Sequence, residues 1–335
     1  MKEILITATE EGQRLDRFLQ KYLKEASGSF IYKMLRKKNI TLNDKKASGG
    51  EKLTGGDIIR IWFSDETLAK MRGIQKEDIS RPGDSRSHGI PVQADIVYED
   101  EHILILNKPA GILSQKAEPG DYSMVELIRD YLLSTGSLTQ EQLALFHPSV
   151  CNRLDRNTSG LIAAGKTVTG LQELSALFSG RRIGKYYLCA VRGHVEGVHT
   201  LDGGLRRDRK RNQVTVSSEA SGDAALIRTE YYPAAYGKAL LTGEELTLLE
   251  VKLITGKTHQ IRAHLAFDGH PLIGDMKYGE GAGEHSKPDP LAKRQLLHCA
   301  RMEMPQMEGP LACLSGRVFT SPMPDDFKIA GWKPV

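Results

Sequence analysis

The stretch LTLLEVKLITGKTHQIRAHLAF, residues 246–267, contains the change of pattern that decides the fold. Its first half is rich in β-branched and aliphatic residues and predicts a strand, and Gly256 then marks a turn before a helix-like pattern. Other β-rich segments lie on either side of it, at residues 185–193, 213–217, 226–234 and 295–304. Because several of them are separated by hairpin-length turns, we predict an α+β fold with a mixed, largely antiparallel sheet rather than a βαβ repeat.

The region before these strands follows the same mixed pattern. DIVYEDEHILILNKP, residues 95–109, predicts a hairpin closed by Glu99–His102. Residues 122–134 and 167–179 have helical patterns, and Gly180 ends the second helix.

Length and composition limit the class of protein. The 335 residues suit about two domains, and 40% hydrophobic with 26% charged residues excludes wholesale disorder. The longest apolar runs, such as Ile103–Leu106, have the length of a strand, so no membrane segment is predicted. The start of the sequence turns acidic where a signal peptide would be apolar. Four cysteines without a C-x-x-C pair argue against a zinc ribbon or a disulfide framework, so we expect a cytoplasmic protein.

Positive charge is concentrated near the beginning of the chain. Residues 14–63 hold twelve Lys and Arg against five acids, a net charge of +7, which leaves −3 for the rest of a chain whose total is +4. A basic module joined to a nearly neutral body predicts a polyanion-binding domain carried by a larger unit.

This basic module has two amphipathic helical patterns. Leu15, Phe18, Leu19, Tyr22 and Leu23 define the apolar face of the first, and Ile31, Met34 and Leu35 that of the second, which Ser27 or Ser29 can cap. A short strand at 40–42 and a strand at 58–63 follow, and the polar residues 64–94 predict a linker with one helical turn near 68–72. We place the domains at 13–63 and 95–330. The outer helix faces carry the predicted RNA-binding residues Arg14, Arg17, Lys21, Lys33, Arg36, Lys37 and Lys38.

The segment NRLDRNTSG, residues 152–160, is a candidate for chemistry. Asp155 lies between Arg153 and Arg156, and nearby positive charge keeps a carboxylate ionised, as a nucleophile or base requires. The alternative is a salt-bridged loop without catalytic function, and the pattern alone does not decide between the two. Ser159 lacks the G-x-S-x-G motif of serine hydrolases.

Two further segments suggest contacts with anions. In TGKTHQIRAH, residues 255–264, a turn precedes a helix, so backbone N–H groups near Lys257 could bind phosphate. His259 and His264 are five residues apart without an intervening glutamate, so the zinc-protease motif is absent and no metal site is predicted. The basic run at 206–211 fits a solvated loop or a second phosphate contact equally well, and its candidates are Arg206, Arg207 and Arg209.

Four motifs together resemble the RluA-type pseudouridine synthases. Residues 152–167 are similar to the family's R-L-D-x-x-T-S-G-L segment, 185–193 to its K-x-Y-x-A-x-V-x-G strand, 253–279 to its T-G-R-T-H-Q-I-R-x-H block with G-H-P-x-x-G-D-x-x-Y-G, and 107–113 to its first motif. Residues 14–43 resemble an α-L RNA-binding domain, closest to the RluC branch. The sequence departs from the family at four positions: Cys189 stands where alanine is usual, Asn152 replaces a common histidine, Lys257 the arginine of T-G-R, and Gln115 a frequent histidine.

The resemblance implies the pseudouridine synthase fold and conversion of uridines in large-subunit (23S) rRNA, free or in assembling subunits, without a cofactor. It implies a monomer whose nucleophile is Asp155, with Arg262 paired to it, Tyr187 stacked on the base to take the ring proton, and Leu253 as an apolar wall. The other implied substrate contacts are Arg153, Lys257, His259, Asn107 and Lys108. Two alternatives stay open: an inactive RNA-binding assembly factor, and an aspartate-nucleophile hydrolase, which would need a carboxylate cluster or second acid that is not evident.

Overall fold

The computed structural model describes residues 1–73, 95–143, 145–208, 213–279 and 288–335. The helices are α1 (Leu15–Tyr22), α2 (Gly28–Arg36), α3 (Asp65–Arg72), α4 (Met124–Ser134), α5 (Gln140–Leu143), α6 (Val168–Ser179) and α7 (Gln260–Phe267), with short 3-10 helices at Gly309–Leu314 and Asp325–Phe327. The first strands are β1 (Lys2–Leu5), β2 (Ile40–Leu42), β3 (Lys45–Lys46), β4 (Ile58–Ile61), β5 (Ile96–Glu99), β6 (Ile103–Lys108), β7 (Ser149–Val150) and β8 (Ser159–Gly165). The others are β9 (Gly184–Arg192), β10 (His199–Asp208), β11 (Gln213–Ser217), β12 (Ala225–Lys238), β13 (Glu245–Leu253), β14 (Leu297–Glu303), β15 (Val318–Thr320) and β16 (Lys333–Pro334).

The N-terminal sheet has the order β1-β4-β2-β3, and α1 and α2 pack their apolar residues against it. Both predicted apolar helix faces are buried, and the Ser27 side chain accepts the Phe30 N–H as the cap of α2. Strand β1 was not predicted, and it lies outside the boundary that we placed at residue 13. Helix α3 begins three residues before the predicted helical turn, because Ser64 caps it. Most of the predicted linker lies outside the described residues.

The N-terminal sheet is packed against the larger part of the chain. Leu145, which follows α5, belongs to the same apolar cluster as Phe18 and Ile59. The Val168 N–H at the start of α6 donates to the Thr9 carbonyl over 3.2 Å. The N-terminal part and the larger part therefore pack directly against each other and are not connected only by the linker.

The large sheet has the order β11-β10-β12-β13-β9-β14-β8-β6-β5, with β7, β15 and β16 paired at its margins. Within the described residues, neighbouring strands of this sheet are antiparallel except for β8 with β14, which are parallel. The predicted mixed, largely antiparallel sheet is therefore confirmed. None of the helices in these same ranges is long and apolar enough to cross a membrane.

The centre of the sheet is buried on both faces. Leu104, Leu106 and Ile162 pack with α4, whereas Ile105 and Leu161 point the other way, toward α6. Apolar residues therefore run continuously along β6 and β8 instead of alternating with polar ones, as expected for strands covered by helices on both sides. This two-sided packing fixes the end of β8 from which the 152–158 loop extends.

The basic run predicted as a loop or phosphate contact is partly a strand. Arg206 and Arg207 belong to β10, where Arg206 pairs with Thr215 and Arg207 with Val214 of β11. Their ladder hydrogen bonds outweigh the preference of charged residues for a loop, and the side chains still extend into solvent. Arg209 lies outside the described residues.

Gly160, the second residue of β8, allows a close approach of two backbone segments. Its φ is +108°, and a Cβ at this position would lie 2.3 Å from the Cys299 carbonyl oxygen of β14. Only glycine fits both the dihedral angle and the space.

Gly160→Ala is expected to destabilise the protein by about 3 kcal/mol, because a clash with backbone adds to the strain of positive φ. Gly193→Ala is the matched control, since Gly193 has φ +81° but nothing within 4 Å of the added Cβ, and it should cost only about 1 kcal/mol. Urea unfolding measures both. Equal losses would show that the β8–β14 contact is not tight.

Candidate active site

The loop that carries Asp155 is held against β8 by the side chain of Asn152. Asn152 Nδ2 donates to the Leu161 carbonyl over 3.2 Å, and its Oδ1 accepts the Ala163 N–H over 2.8 Å. The amide thus satisfies one acceptor and one donor of a buried strand, as a neighbouring backbone would. Asparagine supplies both functions at a position where the family that the sequence resembles commonly has histidine.

Hydrogen bonds also hold the backbone on each side of Asp155. Ser114 Oγ donates to the Leu154 carbonyl over 2.8 Å and accepts the Leu154 N–H over 2.9 Å. The Gly111 N–H donates to the Arg156 carbonyl over 2.8 Å. The segment after β6 therefore fixes the backbone of the Asp155 loop.

Lys108 has a different position from the one expected of a substrate contact. Its side chain is fully buried, and Nζ donates to the carbonyls of Pro109, Ile112 and Arg156 over 2.8, 2.6 and 3.0 Å. Burial lowers the pKa of this ammonium to about 7, and the charge of Arg294 acts in the same direction. Three acceptors require three protons, which only the ammonium carries. Lys108 therefore supports the loop, and its buried position does not suit the predicted contact with substrate.

Asn107 is likewise bound to protein groups. Its Nδ2 donates to Asp95 Oδ2 over 2.9 Å, and its Oδ1 accepts from Ser321 Oγ over 2.9 Å. Its predicted role as a substrate contact finds no support in this position.

Arg262 lies in the first turn of α7 and binds two carboxylates. Its Nη1 donates to Asp155 Oδ2 over 2.9 Å, and its Nε and Nη2 donate to Asp275 over 2.6 and 2.8 Å. Burial alone would lower the pKa of this guanidinium, but the hydrogen bonds and charge of Asp275, together with Asp155, outweigh it and raise the pKa. Arg262 is therefore a permanent cation beside Asp155, in the pairing that the resemblance implies.

Asp275 was not singled out from the sequence, although it is the aspartate of the G-D-x-x-Y-G motif within residues 253–279. Its side chain has no exposed surface, and it also accepts the N–H groups of Lys277 and Tyr278 over 2.9 and 3.1 Å. Burial raises its pKa, but the hydrogen bonds and charge of Arg262 more than compensate, so the pKa is lowered. Asp275 stays ionised and orients Arg262.

His259 and Tyr278 form the wall beside this ion pair. His259 precedes α7 with φ +54° and makes no side-chain cap. Its Nδ1 lies 2.9 Å from Tyr278 Oη, and its Nε2 lies 3.9 Å from Asp155 Oδ2. The Tyr278 ring lies 5.2 Å from the Arg262 guanidinium carbon, in the range of a cation–π contact.

Tyr187 and Leu253 come from neighbouring strands. Tyr187 of β9 pairs with Val251 of β13, and Leu253 points to the same face two residues later. Tyr187 is only 5% exposed, and its pKa is raised by burial, by the adjacent Cys299 thiol and by the charge of Asp155. The phenol is therefore neutral, and Leu253 is half-buried against the same core.

The remaining predicted residues lie on the surface. Arg153 and Lys257 are exposed, and the Lys257 N–H donates to Gln260 Oε1 over 3.1 Å, so this N–H is not available to bind an anion as predicted. Arg206 pairs with Asp223 over 2.8 Å. The predicted cations of the N-terminal part are all exposed, namely Arg14, Arg17, Lys21, Lys33, Arg36, Lys37 and Lys38, although Arg14 binds Asp16 over 2.8 Å.

Comparisons with known proteins agree with the family resemblance that the four sequence motifs indicate. The family model described as RNA pseudouridylate synthase matches residues 102–267. Ribosomal large subunit pseudouridine synthase C of Vibrio vulnificus (strain CMCP6) is 30% identical over 90% of this chain and 88% of its own. The protein of the same name from Escherichia coli (strain K12) is 30% identical over 94% and 96%. The solved structure of human RNA pseudouridylate synthase domain containing 4 has a TM-score of 0.52 and 20% identity, covers 70% of this chain and 90% of its own, and supports the fold.

Asp275→Asn is expected to cost about 3 kcal/mol at neutral pH, because Arg262 loses a fully buried charged partner. The folded-state pKa of Asp275 is lowered from 3.8, so its stabilising contribution is complete above that pH and is lost as the pH falls through the folded-state pKa. The difference in unfolding free energy between wild type and variant should therefore shrink from pH 7 to pH 3, as measured by urea unfolding. A constant difference would mean that the charge of Asp275 does not stabilise the fold.

Proposed function

This chain belongs to the RNA pseudouridylate synthase family, and we propose that it isomerises specific uridines of large-subunit (23S) ribosomal RNA, with Asp155 as the nucleophile. The relatives from Vibrio and Escherichia that cover most of both chains carry the name of a large-subunit ribosomal enzyme. As an RNA pseudouridine synthase, it is an isomerase. We further propose that it acts as a monomer in the cytoplasm, on free rRNA or on assembling subunits.

The observation that carries this proposal is the 2.9 Å contact between Arg262 Nη1 and Asp155 Oδ2. A nucleophilic carboxylate must be ionised and must also be reachable. Arg262 and Asp275 are almost completely buried, whereas the Asp155 side chain is 25% exposed. Among these three charges, Asp155 is thus the one that substrate can touch. A purely structural salt bridge would not be more stable for this exposure. The exposure therefore gives no support to the alternative of an inactive RNA-binding assembly factor.

The surrounding residues suggest how the reaction is assisted. The uracil must be detached, turned and rejoined through carbon, so Asp155 forms a covalent bond with substrate and then leaves with the electron pair of that bond. Arg262 stabilises the carboxylate before the bond forms and after it breaks. Tyr187 and Leu253 offer apolar surface for the flipped base. The Tyr187 hydroxyl accepts the proton that the ring carbon loses and passes its own to solvent, while the ring nitrogen released from the sugar takes one up, so no proton is gained or lost overall.

The exposed cations of the N-terminal part support binding to the RNA backbone. Lys33, Arg36, Lys37 and Lys38 follow one another along and just after α2 and extend into solvent. Such residues bind phosphates with little regard to sequence, so the choice of uridine would depend on the catalytic part. We propose that this helix supplies much of the salt-dependent affinity.

Asp155→Asn should bind protein-free large-subunit rRNA transcript within about threefold of wild type, yet form at least about 10³-fold less pseudouridine in a single turnover. The change keeps the size of the side chain and removes the nucleophile. Carbodiimide-stop primer extension detects and maps the product.

The matched control is Asp130→Asn, which removes an exposed aspartate of α4 and should leave turnover unchanged. Measurable product from Asp155→Asn would assign the nucleophile to another residue. No product from wild type on this transcript would overturn the proposed substrate.

Replacing Lys33, Arg36, Lys37 and Lys38 together by Gln should weaken rRNA binding and flatten the slope of log affinity against log salt by about 1 to 4, according to how many of them contact phosphate. Titrations at several salt concentrations measure the slope. The control removes four other exposed charges, with Gln at Lys238, Lys293, Lys328 and Lys333. If both variants change the slope equally, net charge and not this helix determines the affinity.

A further inference from the structure

The orientation of the His259 ring is set by hydrogen bonds that start outside the ion pair. The Val214 N–H of β11 donates to Tyr278 Oη over 2.8 Å, so the phenol oxygen already accepts one proton. The phenol's own proton is then available to His259 Nδ1, which lies 2.9 Å from it. A neutral imidazole that accepts at Nδ1 carries its proton on Nε2.

The imidazole is neutral in this environment. The His259 ring is 8% exposed, and burial lowers its pKa, although the charge of Asp155 opposes this effect. The other charged groups that act on the ring are Arg262 and Lys277, which lower its pKa, and Asp275, which raises it.

The protonated nitrogen faces the proposed nucleophile. Nε2 lies 3.9 Å from Asp155 Oδ2, which is the same oxygen that Arg262 binds over 2.9 Å. A hydrogen bond requires a separation of about 3 Å, so a movement of about 1 Å brings the second donor into contact. Hydrogen bonds at catalytic centres are often long before substrate binds.

We propose that His259 is a positioning residue whose Nε2–H donates to Asp155 Oδ2, so that two donors hold this oxygen and Oδ1 is directed to the substrate. The inference rests on the proposed function of Asp155. It differs from the predicted role of His259 as a substrate contact, because its partner is the nucleophile itself. Tyr278 acts one step further out, by fixing which nitrogen carries the proton.

Two amide substitutions of His259 separate this role from a purely structural one. The amide nitrogen of Gln lies near the position of Nε2, whereas that of Asn reaches only the position of Nδ1. The backbone at φ +54° favours Asn over Gln, because Asn tolerates the left-handed region better. The donor role therefore ranks His259→Gln above His259→Asn in activity, while the backbone ranks them in the opposite order in stability.

In single-turnover assays on large-subunit rRNA transcript, His259→Gln should react within about tenfold of wild type and His259→Asn at least about 100-fold more slowly, with RNA affinity changed little in both. Urea unfolding checks that His259→Asn is the more stable of the two. If His259→Asn reacts as fast as His259→Gln or faster, the proposal is overturned.

Tyr278→Phe tests the tautomer directly. It keeps the ring beside Arg262 but removes the proton offered to Nδ1, so turnover should slow about tenfold or more when His259 is present. In a His259→Gln background the same change should cost less than about threefold, because the amide needs no tautomer. Equal losses in both backgrounds would contradict the proposed role of Tyr278.

Asp155→Asn is measured in the same series. Turnover by that variant would refute Asp155 as the nucleophile, and the role of His259 with it, whereas absence of product from wild type would refute the proposed substrate. An inactive Asp155→Asn together with a reversed order of the two His259 variants would refute only the role of His259.

Discussion

The burial of Arg262 is the constraint on which the candidate active site depends. A guanidinium removed from water is stable only when its donors meet acceptors of opposite charge. Asp275 occupies the Nε edge with two hydrogen bonds, which leaves Nη1 for Asp155. Asp275 can do so because the turn after it gives two backbone N–H groups to the same carboxylate. The helix, the turn and the Asp155 loop are thus positioned relative to one another by a single cation.

The local sequence pattern was sufficient to predict most of the helices and strands, but not which strands pair when they lie far apart in the sequence. The hairpin β5–β6, the helices α4 and α6, and the strands β9, β12 and β13 all follow from apolar spacing and turn residues. The parallel pairing of β8 with β14 joins residues such as Ser159 and His298, which are 139 positions apart. The sequence of neither strand indicates which strand it pairs with. The arginines of β10 looked like loop residues because their pairing with β11 cannot be read from the composition of the strand itself.

The residues of the candidate active site likewise fall into those that the sequence predicted and those that it did not. The resemblance brought together Asp155 and Arg262, since both stand in recognisable motifs. It could not distinguish a lysine that meets substrate from one that supports a loop, because burial is a property of the fold. A signal was nevertheless present, for Lys108 ends a strand whose preceding residues Ile103–Leu106 are all apolar. A cation at the end of such a run is surrounded by protein and must find its acceptors there. Asp275 and Tyr278 escaped attention because their partners lie on other elements.

The place of β14 in the sheet has a consequence for synthesis. This strand fills the space between β8 and β9, yet it is made after both of them and after β13 and α7. A nascent chain that has not reached Leu297 holds two half-sheets, each with an open edge lined by apolar residues. Open edges of this kind pair readily with other chains. Such intermediates therefore avoid aggregation only if chaperones cover the edges or if synthesis and folding are completed quickly. The order of translation therefore leaves the sheet beside the candidate active site incomplete until nearly all of the chain has left the ribosome. It also makes a chain that stops early prone to aggregation.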